Sequence, residues 1–138
     1  MKIEFLVNPD DSVKQDILAG LRRYNLQFFP HENSDYIACV ASNEQGEFCG
    51  GLFGEVYTNT LFVEYLWVDD SKRSAGLGSQ LVKLAEEKVK AMGATHAYLD
   101  TFSFQAREFY LKQGFEEVGR FSGFPMEGVD KIFLQKKL

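Results

Sequence analysis

Residues 63–92 read VEYLWVDDSKRSAGLGSQLVKLAEEKVKAM, and this stretch decides the fold. An apolar run rich in β-branched and aromatic residues ends at Val68, and a polar loop then leads to Gly76-Leu77-Gly78. The apolar residues that follow are at helical spacing, at Leu77, Leu81, Leu84, Ala85, Val89 and Met92. The stretch therefore predicts a strand, a loop and a helix that opens on two glycines.

The start of this helix is suited to binding a phosphate group. The N–H groups of a first helical turn have no partner and carry a partial positive charge, and glycines let a ligand approach the main chain. A dinucleotide site would need a third glycine where Leu81 stands, directly after the strand, although Asp100 near the end of the next strand agrees with that interpretation. A nucleoside triphosphate loop would need Gly-Lys-Ser/Thr, which is missing from the sequence. The remaining alternatives are a different phosphate or pyrophosphate site and a plain helix cap.

The composition predicts one compact domain. A chain of 138 residues with 45% hydrophobic residues can bury a sizeable core, so we expect a single domain over residues 1–138. The opening MKIEFLV is too short and too charged for a signal peptide, and no run approaches a membrane span, so we expect a cytoplasmic protein without a membrane partner. The net charge of -5 argues against a nucleic-acid partner and is compatible with a cationic substrate.

Apolar periodicity and turn residues predict the element order β-α-β-β-β-α-β-α-β-β, a mixed, mostly antiparallel α/β sheet of about seven strands flanked by helices. The strands are predicted at residues 3–7, 36–41, 48–57, 61–68, 96–102, 115–121 and 129–134, and the helices at 11–27, from 77 to a left-handed cap at Gly93, and at 105–113. Ser12 with Gln15 predicts a capping box for the first helix, and Ser103 is predicted to cap the third.

Two motifs resemble those of the GNAT acetyltransferase superfamily. Arg73-Ser74-Ala75-Gly76-Leu77-Gly78 matches the family loop Arg/Gln-x-x-Gly-x-Gly/Ala, which binds the pyrophosphate of acetyl-coenzyme A. Residues 103–115 keep the alanine, tyrosine, glycine and phenylalanine of the family pattern Asn-x-x-Ala-x-x-x-Tyr-x-x-x-Gly-Phe, with Ser103 in place of the asparagine. Because both motifs occur at the expected distance and with the expected elements around them, the resemblance implies an acetyltransferase with the GNAT fold, acetyl-CoA as cosubstrate and no metal.

The resemblance also implies how the coenzyme is held. Main-chain N–H groups and the Arg73 guanidinium would bind the pyrophosphate, while the fourth and fifth strands would splay apart to expose a strand edge for the pantetheine arm. Ordinary ladder pairing is the alternative for that edge, and helix capping is the first interpretation of Ser103. The implied cofactor-binding residues are Leu66, Trp67, Val68, Arg73, Ser74, Ala75, Gly76, Leu77, Gly78, Ser79, Ser103, Ala106 and Tyr110.

The catalytic candidates are Tyr110, Glu64 and Asp100. By the resemblance, the Tyr110 hydroxyl would protonate or stabilise the departing sulfur, although a tyrosine on a short apolar helix also suits simple packing. Glu64 interrupts an apolar strand two residues before Leu66 and on the same side, so we expect it to act as the general base, with strand-edge ion pairing as the alternative. Asp100 is the second candidate for the base or an anchor for a cationic substrate, and Glu55 is the third.

The acceptor site is expected across the sheet from the coenzyme, with an aromatic wall and negative charge that suit a small amine. The aromatic and apolar candidates are Phe28, Phe29, Tyr65, Phe102, Phe124 and Met126, and the acidic ones are Glu32, Asp35, Glu64 and Asp100. Much of this aromatic content also suits a core. His31 and His96 belong to no motif.

Three functions agree with these features. The first is transfer of an acetyl group from acetyl-CoA to a primary amine of a small molecule by direct attack. The second is a protein or peptide N-acetyltransferase, which would need an open groove, and the third is a non-catalytic acyl-CoA-binding module, which would lack a working acid or base. Members of the family are often dimers, so the resemblance makes a homodimer possible.

Overall fold

The computed structural model describes residues 1–29 and 33–138, and the chain forms two compact units, Met1–Glu32 and Asn33–Leu138. The helices are α1 (Asp11–Asn25), α2 (Leu77–Ala91) and α3 (Arg107–Lys112), and the strands are β1 (Ser34–Ser42), β2 (Phe48–Tyr57), β3 (Thr60–Val68), β4 (His96–Phe102), β5 (Glu116–Ser122) and β6 (Asp130–Lys137). Among the described residues, no helix is long and apolar enough to cross a membrane.

In the first unit, an irregular segment leads into α1. The Asp10 carboxylate caps the helix by accepting a hydrogen bond from the Ser12 N–H at 3.2 Å, so the predicted cap at Ser12 is wrong. The helix ends at Asn25 rather than at residue 27, because the Gln27 and Phe28 N–H groups bond to carbonyls only three residues back, which is a turn pattern. Asp and Ser are equally good residues at the N-cap position, and Asp10 is the one that directly precedes the first residue of the helix.

The strand predicted over residues 3–7 is wrong. The described segment has no strand, and the Phe5 side chain is 91% exposed. An alternating sequence forms a strand only where a neighbouring strand accepts its hydrogen bonds. No strand in the described parts of the chain pairs with residues 3–7. In residues 1–29 and 33–138 the sheet therefore has six strands instead of about seven, and the element order begins with α1.

The second unit contains the whole sheet, in the order β1-β2-β3-β4-β6-β5. All neighbours are antiparallel except β3 and β4, which run parallel and pair only from Thr60↔His96 to Phe62↔Tyr98. Beyond those three pairs, in the described residues, β3 continues to Val68 and β4 to Phe102 without pairing to each other. The two strands therefore separate at this end of the sheet, as the family resemblance implies.

Helix α2 covers the core face of the sheet. Of the apolar residues at helical spacing, Leu81, Ala85 and Val89 are buried, but Leu84 and Met92 are 43% and 48% exposed. Val82, which is not part of that spacing, is 3% exposed. The buried face of α2 is therefore rotated toward Val82 and away from Leu84 and Met92. Apolar residues lie on both sides of the buried stripe, so the periodicity alone does not show which side faces the sheet.

Ser103 does not cap α3. The helix begins at Arg107, and the cap position at Ala106 makes no side-chain hydrogen bond. Instead, the Ser103 hydroxyl accepts from the Asp130 N–H at 3.0 Å, and the Ser103 N–H donates to the Asp130 carbonyl at 2.8 Å. This reciprocal pair connects the end of β4 to the start of β6, so Ser103 stabilises the sheet rather than the helix.

Candidate active site

A cavity of about 890 Å³ lies where β3 and β4 separate. The end of β3, the loop that follows it, the first turn of α2 and the α3 region all contribute to its wall. The predicted site residues that line it are Glu64, Leu66, Trp67, Val68, Arg73, Ser74, Gly76, Leu77, Gly78, Ser79, Asp100, Ala106 and Tyr110. Ala75 and Ser103 do not line it.

The loop before α2 reaches its shape through left-handed backbone. Gly76 has a φ of 80° and occupies the helix cap position without a side-chain cap, and Ser74 has a φ of 69°. The first helical hydrogen bond runs from the Gln80 N–H to the Gly76 carbonyl, at 3.0 Å. The N–H groups of the preceding three residues therefore have no partner within the helix, and they carry its positive end.

Gly76 and Gly78 serve different purposes. A Cβ at Gly76 would meet nothing within 4 Å, so that glycine is needed for its φ alone. A Cβ at Gly78 would lie 3.3 Å from the Phe109 ring, so the second glycine lets α3 approach α2 closely. The Ser79 hydroxyl also donates to the Gln113 side chain at 3.1 Å, which ties the start of α2 to the end of α3.

Arg73 is held on the cavity wall, in the loop just before α2. Its Nε donates to the Val68 carbonyl at 2.9 Å, and its Nη1 lies 2.7 Å from a carboxylate oxygen of Asp70. The side chain is 58% exposed and the Asp70 side chain 86% exposed, so water weakens this ion pair. The guanidinium is thus positioned by a strand carbonyl and can exchange its exposed carboxylate partner for a phosphate.

Glu64 lies at a β-bulge. The β2–β3 register runs from Gly54↔Val63 to Phe53↔Tyr65, which leaves Glu64 as the extra residue. Regular alternation along the strand predicts Glu64 and Leu66 on the same side. The bulge interrupts that alternation, yet both residues line the cavity. A Cβ at Gly54 would lie 2.4 Å from the Phe62 carbonyl oxygen, so the bulge requires glycine there.

Asp100 also lines the cavity, but it has a cationic neighbour. The Lys131 Nζ is 3.6 Å from Asp100 Oδ1 and also lies above the Phe124 and Phe133 rings. By contrast, no charged side chain in residues 1–29 and 33–138 forms an ion pair with Glu64. Of the two carboxylates, Asp100 is therefore the one held by a cation from the described residues.

Tyr110 is 7% exposed and lies against two phenylalanine rings, with centroids 5.1 Å away at Phe109 and 5.8 Å away at Phe115. It thus belongs to the core and to the cavity wall at once. Burial raises the pKa of its phenol to about 12. The hydroxyl is protonated at neutral pH and can act only as a hydrogen-bond donor to a negative group there.

Sequence reasoning missed Gln105. Its Oε1 accepts from the Phe102 N–H at 2.8 Å and from the Thr101 hydroxyl at 3.1 Å, and Thr101 is itself 5% exposed. Gln105 thereby fixes the turn between β4 and α3 and also lines the cavity. The only signal in the sequence was its position in the second motif, two residues after Ser103, where a side-chain acceptor can bond to main-chain N–H groups.

The expected acceptor residues are distributed over several places. Among the aromatic and apolar candidates of the second unit, Tyr65 lines the cavity, whereas Phe102, Phe124 and Met126 do not. Asp35 lies on β1 and outside the cavity wall. Phe28 and Phe29 belong to the first unit, and His31 and Glu32 lie outside the described residues. His96 is exposed at the start of β4, with its Nδ1 2.8 Å from the Thr95 hydroxyl.

The cavity wall combines both signs of charge. Lys72 and Arg73 come from the loop beside the α2 N-terminus, and Glu64 and Asp100 come from the separating strands. Such a surface can hold an anionic group against the helix and a cationic group against the strands. Within the described residues, no group of three or more His, Cys, Asp or Glu side chains is arranged to hold a metal ion.

Several known proteins are similar to this chain in sequence or in fold. The family model described as the acetyltransferase (GNAT) family matches residues 7–115. The chain is 37% identical to the blasticidin-S acetyltransferase of Streptomyces morookaense over 102 residues, which are 73% of this chain and 74% of that protein.

Solved structures of acetyltransferases have a similar fold. An acetyltransferase from Bacillus cereus is 33% identical and superposes with a TM-score of 0.88 over 98% of both chains. An aminoglycoside 6'-N-acetyltransferase complexed with coenzyme A has the same fold, with a TM-score of 0.67 at 22% identity over 74% of this chain and 72% of that one. The chain therefore belongs to the acetyltransferase (GNAT) family and is an acyltransferase.

Proposed function

We propose that the protein transfers the acetyl group of acetyl-CoA to a primary amine of a small molecule by direct attack. The observation that carries this proposal is the single cavity whose wall includes a helix N-terminus with two cationic side chains and, on the separating strands, two carboxylates. The coenzyme complex of the aminoglycoside acetyltransferase and the activity named for the Streptomyces relative support a coenzyme A donor and a small acceptor.

The main chain supplies most of the coenzyme contacts in this proposal. The free N–H groups of the first α2 turn bind the pyrophosphate, and Arg73 adds a charge-assisted hydrogen bond after it leaves Asp70. Beyond Phe62↔Tyr98, the edge of β3 has no pairing with β4, so its amides can pair with the pantetheine arm as with an added strand. Residues 66–68 lie on that edge.

The chemistry then needs a base and a group that stabilises the departing sulfur. Glu64 takes the amine proton, directly or through water, while the amine nitrogen attacks the thioester carbon and the carbon–sulfur bond breaks. Burial raises the pKa of the Tyr110 phenol to about 12, well above neutral pH, so loss of its proton is disfavoured there. Tyr110 therefore stabilises the leaving thiolate by donating a hydrogen bond and keeps its proton.

Release of coenzyme A thiol from acetyl-CoA, measured over a panel of small amines and peptides, tests this function. Turnover with small amines is the expected result. Turnover only with peptides would favour a protein or peptide N-acetyltransferase, and coenzyme binding without any turnover would leave a non-catalytic binding module. Calorimetry with coenzyme A separates that last outcome from a chain that does not bind the coenzyme at all.

We also propose that residues 1–138 act as one N-acetyltransferase domain in the cytoplasm, as a homodimer. The family match over residues 7–115 includes parts of both units, which supports a single catalytic domain. Sedimentation equilibrium should then give twice the 15.7 kDa mass of the chain. A mass of one chain would exclude the dimer and leave the reaction unaffected.

A further inference from the structure

A second cavity, of about 460 Å³, lies at the β2–β3 turn. Its wall consists of the turn residues 57–60 together with Glu55, Phe62 and Tyr98. It shares no residue with the candidate active site, although both lie on β3 and β4. The two cavities are therefore separate but lie along the same two strands.

Three side chains of this cavity form a row across the sheet. The register pairs Glu55 with Phe62 and Phe62 with Tyr98, so the three lie side by side on β2, β3 and β4. The rings of Phe62 and Tyr98 stack with centroids 4.6 Å apart, and Tyr98 is 46% exposed. Tyr98 is therefore accessible to a ligand, and the face of an aromatic ring attracts cations.

Glu55 supplies the negative charge of this row. The Ser34 hydroxyl donates to Glu55 Oε1 at 2.8 Å, which fixes the carboxylate and leaves Oε2 for a ligand. Burial, followed by the charges of Glu55, Asp100 and Glu64, raises the pKa of Tyr98, in agreement with three carboxylates near its phenol. A carboxylate in the same row as two aromatic rings favours an organic cation over an anion or a neutral group.

The row is a short distance from the reacting groups. Asp100 follows Tyr98 by two residues on β4, so the two side chains lie on the same face and about 7 Å apart along the strand. The parallel pairing also ends at Phe62↔Tyr98, where the active-site cavity begins. A molecule with its amine among the separating strands can therefore extend its other end over this row.

We propose that the cavity at Glu55, Phe62 and Tyr98 binds a second cationic group of the acceptor, about 7 Å or slightly more from the amine that is acetylated. This inference rests on the proposed function for the identity of the acetylated amine. The substrate class is accordingly a dicationic amine, in which one ammonium loses its proton and reacts while the other stays charged against Glu55 and the two rings.

Binding of a non-reactive probe tests the cavity without any turnover. A bis-quaternary ammonium with an alkyl spacer should bind to the wild-type protein more tightly than tetramethylammonium does. Glu55→Gln should weaken that binding about fivefold, as expected for the loss of one half-exposed charge pair. Equal affinity for the two probes, or an unchanged affinity in Glu55→Gln, would overturn the proposal.

Kinetics with a series of α,ω-diamines and the matching monoamines gives the second test. Glu55, the third candidate for the base, does not line the active-site cavity, so Glu55→Gln should lower kcat/KM about fivefold for diamines of suitable length and leave monoamines unchanged. Glu44→Gln removes the same charge from the β1–β2 turn and should change neither, and Ser34→Ala separates loss of the hydrogen bond from loss of the charge.

An equal loss for diamines and monoamines would make Glu55 part of the general machinery and would overturn the dicationic assignment. If no amine is acetylated, the proposed function fails while the probe experiment still decides whether the cavity binds cations. The two failures are therefore distinguishable.

Discussion

Replacing Gly76 with alanine should weaken coenzyme binding through the backbone alone. The residue has a φ of 80°, which L residues adopt at a cost, and a Cβ there would contact nothing within 4 Å. The unfavourable φ should lower the free energy of unfolding by about 1 kcal/mol. If the loop relaxes to relieve this strain, its N–H groups turn away from the pyrophosphate, and the loss of one charge-assisted hydrogen bond weakens binding about tenfold or more.

The chain contains a matched control for this substitution. Gly46 also has a φ of 80° with nothing within 4 Å of its Cβ position, but it lies in the β1–β2 turn, where Asn43 Oδ1 accepts from the Gln45 and Glu47 N–H groups. Gly46→Ala should therefore cost the same stability and leave coenzyme affinity unchanged.

Chemical denaturation gives the stability of both variants, and isothermal titration calorimetry gives their dissociation constants for coenzyme A. The expected pattern is similar stability loss in the two variants with weaker coenzyme binding in Gly76→Ala alone. Unchanged affinity in Gly76→Ala, or the same loss in Gly46→Ala, would refute the assignment of the pyrophosphate to this loop.

Three further substitutions test other parts of the molecule. Tyr110→Phe should lower kcat about ten- to a hundredfold while coenzyme affinity changes little, because one hydrogen bond to the leaving thiolate is lost and the ring remains; an unchanged kcat removes the hydroxyl from the mechanism. Gly54→Ala should destabilise the fold by about 1–3 kcal/mol in denaturant, since the new Cβ would meet the Phe62 carbonyl oxygen at 2.4 Å, and wild-type stability would contradict the bulge. Hydrogen bonds from Arg120 and Arg107 lower the pKa of Glu117 from 4.5 to about 2, so the stability that Glu117 contributes is present above pH 4.5 and is lost as the pH falls toward 2. Glu117→Gln should therefore lower the melting temperature at neutral pH and make it depend less on pH in the acid range. An unchanged dependence on pH would exclude Glu117 as its source.

The elements set by local signals could be predicted from the sequence. Strands β2 and β4 have the predicted bounds, because turn residues mark their ends and apolar residues recur along them. Gly93 and Gly114 have the left-handed φ values, 101° and 96°, expected of residues after helix ends. These features depend on a few neighbouring residues, so a short window of sequence contains the information.

Features that depend on distant partners could not be predicted in the same way. The bulge at Glu64 requires Gly54 ten positions earlier, and nothing near Glu64 signals it. Ser103 had a nearby helix to cap, but the Asp130 main chain competes for its hydroxyl and is adjacent only in the folded sheet. The cation neighbour of Asp100 arises likewise from β6, through Lys131.

The location of the candidate active site follows from one exception in the described sheet. Every neighbouring pair of strands is antiparallel except β3 and β4, and a parallel connection needs a crossover, which α2 provides. Because α2 starts shortly after β3 ends, its N-terminus lies at the end of the sheet where the two strands separate. A helix N-terminus, an unpaired strand edge and two strand carboxylates are thus brought to one cavity by chain connectivity. Substitutions at Glu55 or Tyr98 leave that connectivity intact, so they should change which amine is acetylated without abolishing coenzyme binding.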